Sequence, residues 1–363
     1  ITLKKLILFL KSYSILVYYI NHNTNYTTTT QTYVIMGIKK LNSYLLSTCS
    51  TEAISRCPLS HFKGKTLAID ASIYMYKYLS ENAFLENFYN LLSIFRQYQI
   101  TPLFVFDGKP PMEKNTVLCE RYQKRKDAEA KYNVLLQQIE DQSKAQAQAQ
   151  TPVQVQTEEE RQQYIEKLAS LKRQCIRVTE NELLHLKQLL SNFGLSYIEA
   201  SGEADVMCAY LVKTKQAYAC ISDDMDMFVY DCPIVIRKLS LTHHNCMVYY
   251  VNYIKQELDL SQLSPVLMLC GTDYTPTICW DICTAIQRYQ FFEDETERGQ
   301  TSSDFYTWIY ERRFVDEVQL QQIQHNVELF AIPPSLNMVL SIKSKDWSIL
   351  QSLLEEKGFM FVE

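Results

Sequence analysis

Residues 218–230 read YACISDDMDMFVY, with acids at Asp223, Asp224 and Asp226. Where a strand end stays extended, residues two apart lean toward one point, so Asp224 and Asp226, with Met225 between them, can converge. Carboxylates that close repel each other unless a cation lies between them. A solvated acidic turn is the competing reading of one such motif alone, but the pattern recurs. Residues 66–70 (TLAID) are an apolar run closed by Asp70, and residues 102–107 (PLFVFD) are another closed by Asp107. Glu203 and Asp205 stand at the opening of a helix, where acids also suit the helix dipole, and Asp273 follows the apolar residues 263–269. A basic stretch comes directly after the second strand. Lys114, Arg121, Lys124, Arg125 and Lys126 face only Glu120 between positions 114 and 126, and Arg121 and Arg125 share a helix face. Charge runs are usually solvated faces, but acids that hold metal beside bases that hold a phosphate backbone suit phosphodiester chemistry.

The elements that must position these residues follow from the hydrophobic pattern. Runs at 66–70, 102–107 and 218–221 have strand length and no helical period. They alternate with helical stretches at 71–79, 86–97, 179–193 and 201–215, and shorter strands are expected at 196–198, 234–236 and 248–250. Continuous apolar strands between helices predict an α/β fold with a mostly parallel central sheet and helices on both faces. Ligands of such sheets bind at the carboxyl ends of the strands. Residues 179–182 (TENE) form a capping box and Gly194 a helix stop. Residues 113–180 are expected to form a helical clamp, with Lys167, Lys172, Arg173 and Arg177 near its end. It holds a flexible Gln-rich insert at 143–157 (SKAQAQAQTPVQVQT). Residues 36–363 are read as the working domain starting at Met36, and residues 1–35 as a disordered or upstream extension. The apolar stretch 3–20 carries Lys4, Lys5 and Lys11, poor for a membrane span.

A net charge of 36 − 41 = −5 and a pI near 5.8 exclude a chain that is basic throughout, so nucleic-acid contact would need a local patch. The eleven cysteines contain no C-x-x-C pair, which argues against a zinc ribbon or disulfide scaffold and for a reducing, intracellular compartment.

Six stretches occur in one order: MGIKKL (36–41), AIDAS (68–72), VFDGKPP (105–111), SGEAD (201–205), SDDMD (222–226) and GTDY (271–274). Together they resemble the flap endonuclease / XPG family of structure-specific nucleases. The resemblance implies a PIN-like fold and two divalent cations, Mg²⁺ or Mn²⁺, as all-carboxylate ligation suits hard ions. It assigns Asp70, Asp107, Glu203 and Asp205 mainly to one cation and Asp224, Asp226 and Asp273 mainly to the other. Lys114 and Arg121 would be the catalytic bases of charge above the site, and Tyr76 would stack on a base, a core tyrosine being the plainer reading. Lys124, Arg125, Lys172 and Arg173 would meet the DNA backbone. Asp223 has no family counterpart. The implied activity is 5′-flap endonuclease or 5′–3′ exonuclease action on flap, nicked or branched DNA in replication, recombination and repair. A non-catalytic DNA-binding relative and an RNase on a related fold are the alternatives.

Several features depart from the family pattern. Ala83 stands where the family has an arginine. Residues 275–285 (TPTICWDICTA) replace a glycine-rich helix–two-turn–helix, with a helix expected over 278–289, and a basic tail and sliding-clamp peptide are missing. The shortened pattern resembles forms from large DNA viruses, which would place the chain in the host nucleus or cytoplasm; a monomer without membrane attachment is expected. Side chains with a Cβ block close backbone approach to phosphate, so duplex binding through residues 275–285 is expected to be weak and nearly the same in K⁺ and Na⁺. Titration of a flap substrate in the two salts checks this. A strong K⁺ preference abolished by mutating the loop would show instead that the loop is a working duplex clamp.

Overall fold

Short, wholly apolar strands need partners on both edges and cover on both faces, and the fold supplies them. The protein is seen here in a computed structural model, which describes residues 38, 40–148, 158–272, 274, 278–333, 339–341 and 352. In chain order the elements are α1 (Leu41–Thr48), β1 (Ile54–Pro58), β2 (Thr66–Asp70), α2 (Ala71–Ser80), α3 (Phe84–Gln97), β3 (Thr101–Phe106), α4 (Asn115–Gln148), α5 (Glu158–Gln174), α6 (Glu180–Asn192), β4 (Tyr197–Glu199), α7 (Ala204–Lys213), β5 (Ala219–Ile221), β6 (Ile234–Ser240), β7 (Asn245–Tyr250), α8 (Val251–Glu257), α9 (Ser264–Met268), α10 (Ile282–Glu297), α11 (Phe305–Glu311), α12 (Glu317–Phe330) and β8 (Val339–Ser341).

The sheet has eight strands in the order β1-β7-β6-β5-β2-β3-β4-β8. The five central strands, β6 to β4, are parallel neighbours, and β1, β7 and β8 add antiparallel edges. The mostly parallel sheet expected from the sequence is therefore present, with the edge strands β1 and β8 in addition. Both are legible only through their partners: in Ile54–Pro58 only Ile54 is buried, with Ser55 and Cys57 half-buried and Arg56 and Pro58 exposed, as the strand pairs with β7, and β8 pairs with the three-residue β4. The chain runs from β2 outward to β3 and β4, then returns to β5 on the other side of β2. The crevice between β2 and β5 is thus the switch point at which open α/β sheets bind ligands.

The chain forms two compact units. The larger holds the sheet and the helices from α6 onward together with α1 and α3. The other comprises residues 75–84 and the described part of 115–180, so the expected clamp also takes in the end of α2. Within it α4 and α5 pair through Ala128, Leu135, Leu168 and Leu171, with Tyr132 and Tyr164 packed alongside. Helix α4 extends through residues 143–148, into the stretch expected to be unstructured. Alternating Ala and Gln are good helix formers, so the helix continues where composition alone suggested low complexity. Residues 149–157, the rest of that insert, lie outside the described residues, as do 1–35 and the proposed start at Met36.

Gly108 shows how two functional loops are joined. Its N–H donates to Gly202 O at 2.7 Å, and Ala200 N–H donates to Phe106 O at 2.9 Å. A Cβ at Gly108 would lie 2.1 Å from Ala200 O, whereas one at Gly202 meets nothing within 4 Å. Gly108→Ala is therefore expected to cost about 2–4 kcal/mol and Gly202→Ala little, as measured by urea denaturation of the two variants side by side.

Candidate active site

Strand ends bring the acids together. Asp70 closes β2, Asp107 follows β3 by one residue, and Asp224 lies three residues past β5. All three lie at the carboxyl end of the parallel strands. Helix α7 starts at Ala204, and Ala204 N–H donates to Asp107 Oδ1 at 2.7 Å, so the helix N-terminus lends positive charge to an acid of another strand. Ser72 Oγ–H donates to Asp107 Oδ2 at 2.5 Å and Ser72 N–H to Asp70 Oδ1 at 2.9 Å. Ser72 thus ties the two strand-end acids to each other.

The pair Asp224 and Asp226 is placed differently from the extended arrangement expected. The strand ends at Ile221 and the chain turns, with Asp226 opening a single 3₁₀ turn. Asp226 N–H donates to Asp224 Oδ1 at 2.9 Å, and Asp224 N–H donates to the buried Ser222 Oγ at 3.2 Å. The turn, rather than strand alternation, places both residues: each main-chain N–H is held by a side chain two residues earlier, and the Asp224 carboxylate is itself one of those acceptors. Asp223 has structural partners. Its Oδ1 accepts from Lys238 N–H at 2.8 Å and its carbonyl from Arg237 Nη2 at 2.7 Å.

Three of the acids are dry, whereas Asp107 is exposed. Asp70, Asp224 and Asp226 are 5%, 8% and 7% exposed. Burial, and then the charges of Asp107 and Asp224, hold the Asp70 carboxyl well above the ordinary carboxylate range. Burial, followed by Asp70, Asp224 and Asp107, does the same to Asp205. Asp205 is partly exposed as a residue, yet its Oδ1 is sealed from water with no hydrogen-bond partner. An orphaned carboxylate oxygen among three other acids fits a hard divalent cation. Among the described residues no three acids already stand in a closed coordination cage. Several oxygens are engaged elsewhere: Asp107 by Ser72 and Ala204, and Glu203 by the Lys114 ammonium and the Tyr274 hydroxyl. Asp273 lies outside the described residues.

Lys114 belongs to the same unit as the acids and meets Glu203. Tyr76, Arg121, Lys124, Arg125, Lys172 and Arg173 belong to the other unit. Tyr76 is exposed on α2, so it is not a core tyrosine. Arg121 and Arg125 are half-buried on α4, while Lys124 and Arg173 are exposed. Burial lowers the Lys172 ammonium below its usual range. The exposed Tyr122 carries Arg125 and Lys126 over its ring at 5.6 and 5.1 Å. Its spacing to both cations on one helix is visible in the sequence, as is the position of Ser72 two residues after Asp70.

Residues 278–285 take a definite form. Asp281 caps α10, accepting from Cys283 N–H at 3.2 Å and Thr284 N–H at 3.4 Å. The helix therefore starts at Ile282 rather than 278, because its first free N–H groups need that carboxylate. Residues 275–277 lie outside the described residues.

Comparison with known proteins agrees with this arrangement. The family description "XPG N-terminal domain" matches residues 36–128 and "XPG I-region" matches residues 194–273. These two segments contain all seven acids. The chain belongs to the XPG family. Flap endonuclease 1 of Komagataella phaffii is 30% identical over 264 residues, covering 67% of this chain and 64% of the relative. That of Homo sapiens is 30% identical over 263 residues, covering 67% and 63%. A probable RAD2-like endonuclease of Invertebrate iridescent virus 6 is 28% identical over 283 residues, covering 67% and 68%. The chain thus spans less than two thirds of the length of these Flap endonuclease 1 relatives. Among solved structures, the catalytic core of Rad2 in complex with DNA substrate aligns with TM-score 0.56 at 18% identity, over 89% of this chain and 96% of that one. The flap endonuclease-1 of Methanococcus jannaschii aligns with TM-score 0.51 at 20% identity, over 84% and 90%. These likenesses establish the XPG-type fold.

The raised carboxyls predict a pH signature. A carboxyl whose folded-state pKa lies above its unfolded value leaves the fold most stable at low pH, and stability is lost as pH rises through the folded value. In EDTA, Asp205→Asn is therefore expected to be more stable than the parent at pH 8, by about 1–3 kcal/mol. The gap should shrink toward pH 5, as followed by thermal unfolding across that range.

Proposed function

We propose that this XPG-family chain is a divalent-metal-dependent, structure-specific DNA nuclease, cutting flap, nicked or branched DNA. The observation that supports it most directly is the set of mutually repelling acids, Asp70, Asp107, Asp205 and Asp224, at the switch point of the sheet. Such a set costs stability and serves no DNA-binding purpose of its own, since carboxylates repel phosphates.

In this reading Asp70, Asp107, Glu203 and Asp205 hold one Mg²⁺ or Mn²⁺, and Asp224, Asp226 and Asp273 mainly hold a second. Cations bound there supply the charge that polarises the scissile phosphodiester and acidifies the attacking water. The protein groups do the rest. The α7 N-terminus and Ser72 keep Asp107 oriented. Lys114 neutralises phosphate charge next to Glu203. Arg121, Lys124, Arg125, Lys172 and Arg173 supply sequence-independent backbone contacts, which make binding salt-dependent. Tyr76 and Tyr122 offer exposed rings on which bases of any identity stack. The related proteins in complexes are named with DNA substrate and with Holliday junction DNA, which favours DNA over RNA. The action is proposed for one chain acting alone. Among the described residues no helix is long and apolar enough to cross a membrane.

Asp224→Asn and Asp226→Asn are each expected to lower cleavage by more than a hundredfold, roughly 3 kcal/mol or more of barrier, while DNA binding is kept or tightened. Labelled flap, nicked, four-way-junction and RNA substrates, cut in Mg²⁺ and bound in Ca²⁺, measure both. Cleavage within tenfold of the parent would remove these acids from the metal site.

A further inference from the structure

The acids of the site are held unequally. Asp205 Oδ1 is buried with no hydrogen-bond partner. Glu203, two residues earlier, has both oxygens occupied: Oε1 takes the Lys114 ammonium and Oε2 takes the Tyr274 hydroxyl. The Lys114 and Glu203 side chains are 16% and 13% exposed, so water screens the pair little. The same ammonium stands 5.6 Å from the centroid of the Tyr274 ring, which closes a triangle of ammonium, carboxylate and phenol. The ring does not turn freely. Phe330, the last residue of α12, meets it edge-on at 5.2 Å and 90°, and Phe330 itself packs on Tyr230 at 4.9 Å. Glu203 precedes α7 in extended backbone and has a longer, more flexible side chain than the aspartates around it.

We propose that Tyr274 is a positioning residue for Glu203 and that Tyr274 and Lys114 together form a latch on it, which loading of the acidic site opens. This rests on the metal-binding reading above. An ammonium and a divalent cation cannot share one carboxylate oxygen at contact distance, since like charges repel. Glu203 must leave Lys114 to join a cation held by the fixed acids Asp70 and Asp205. Lys114 then gives up this carboxylate and can turn toward a phosphate. The triangle therefore imposes an order: cation first, then the Lys114 charge on the substrate. Before loading, the lysine is engaged by an acid of its own chain, and the site offers phosphate less positive charge.

The latch competes with the cation, so weakening it strengthens cation binding. A hydroxyl that merely supported Glu203 as a ligand would act in the opposite sense, since loss of such supports weakens metal sites. Tyr274→Phe keeps the ring packed on Phe330 and removes only the hydroxyl. Mn²⁺ binding to the DNA-free full chain, followed by electron paramagnetic resonance, is expected to be roughly five- to tenfold tighter in Tyr274→Phe than in the parent. A second readout needs no variant. Acetylation of Lys114 by an N-hydroxysuccinimide ester, read by mass spectrometry on the unsubstituted chain, is expected to rise when Mn²⁺ is added. Equal or weaker Mn²⁺ binding by Tyr274→Phe, or Lys114 reactivity unchanged by Mn²⁺, would overturn the latch and leave the metal site standing. If the parent binds no Mn²⁺, or Asp205→Asn binds it as the parent does, the metal-binding reading falls and the latch with it.

Discussion

Like charge confined in a dry crevice is the constraint on which the rest of this structure depends. Asp70, Asp224 and Asp226 are buried, and Asp107 and Asp224 stand close enough to push the Asp70 and Asp205 carboxyls upward, behind burial itself. Water would separate and screen these charges; the protein instead holds them together at the ends of three strands. Holding them requires a frame that does not yield. The residues behind the acids, Leu67 to Ile69 on β2, Phe104 and Val105 on β3 and Ala219 to Ile221 on β5, are fully buried, and the strands form adjacent parallel pairs. The repulsion concentrated at the rim is offset by apolar burial and ladder hydrogen bonds along the whole sheet.

The compensations nearest the acids are short-range and specific. A helix N-terminus and a serine hydroxyl face Asp107, and a main-chain amide reaches Asp70. Glu203 is met by an ammonium and a phenol. Asp205 has no such partner for Oδ1. The distribution separates acids that are structurally settled from those left in want of positive charge, and the latter mark where a cation is needed. Close backbone docking makes it possible. Gly108 and Gly202 join the loop after β3 to the loop before α7, so Asp107 and Ala204 meet at hydrogen-bond distance.

The second unit is organised on a different principle. Its helices α4 and α5 share a thin apolar seam, and most of their remaining surface is polar. Charge there is spread along exposed or half-buried helix faces, with Arg125 and Lys126 gathered at Tyr122. Such faces suit a ligand recognised by its repeating phosphate charge rather than by shape, since each contact is weak and replaceable. The departure from the family pattern after Tyr274 is absorbed by helix capping. Asp281 serves α10, and Trp280 stacks on Arg288 at 4.2 Å.

The sequence by itself determined the strands that carry the acids. Apolar runs closed by Asp70 and Asp107 can only be buried strands with charged ends, because the side-chain pattern admits no amphipathic helix. It also determined the order of the acidic motifs and the basic character of the stretch after β3, which composition and spacing state directly. It did not determine that Asp224 and Asp226 leave the strand in a turn, since that depends on main-chain N–H groups donating to Ser222 Oγ and Asp224 Oδ1, which no periodicity encodes. Nor did it reveal β1 and β8, whose pairing partners lie far along the chain, or the helix running on into the Gln-rich residues 143–148. Above all, only the tertiary structure decided the unequal state of the acids. Lys114, Glu203 and Tyr274 are far apart in sequence, and their triangle exists because the strand-end loops and the end of α12, through Phe330, converge on one crevice. Sequence fixes which charges are present; their surroundings, and so their energies, are fixed by what the fold packs against them.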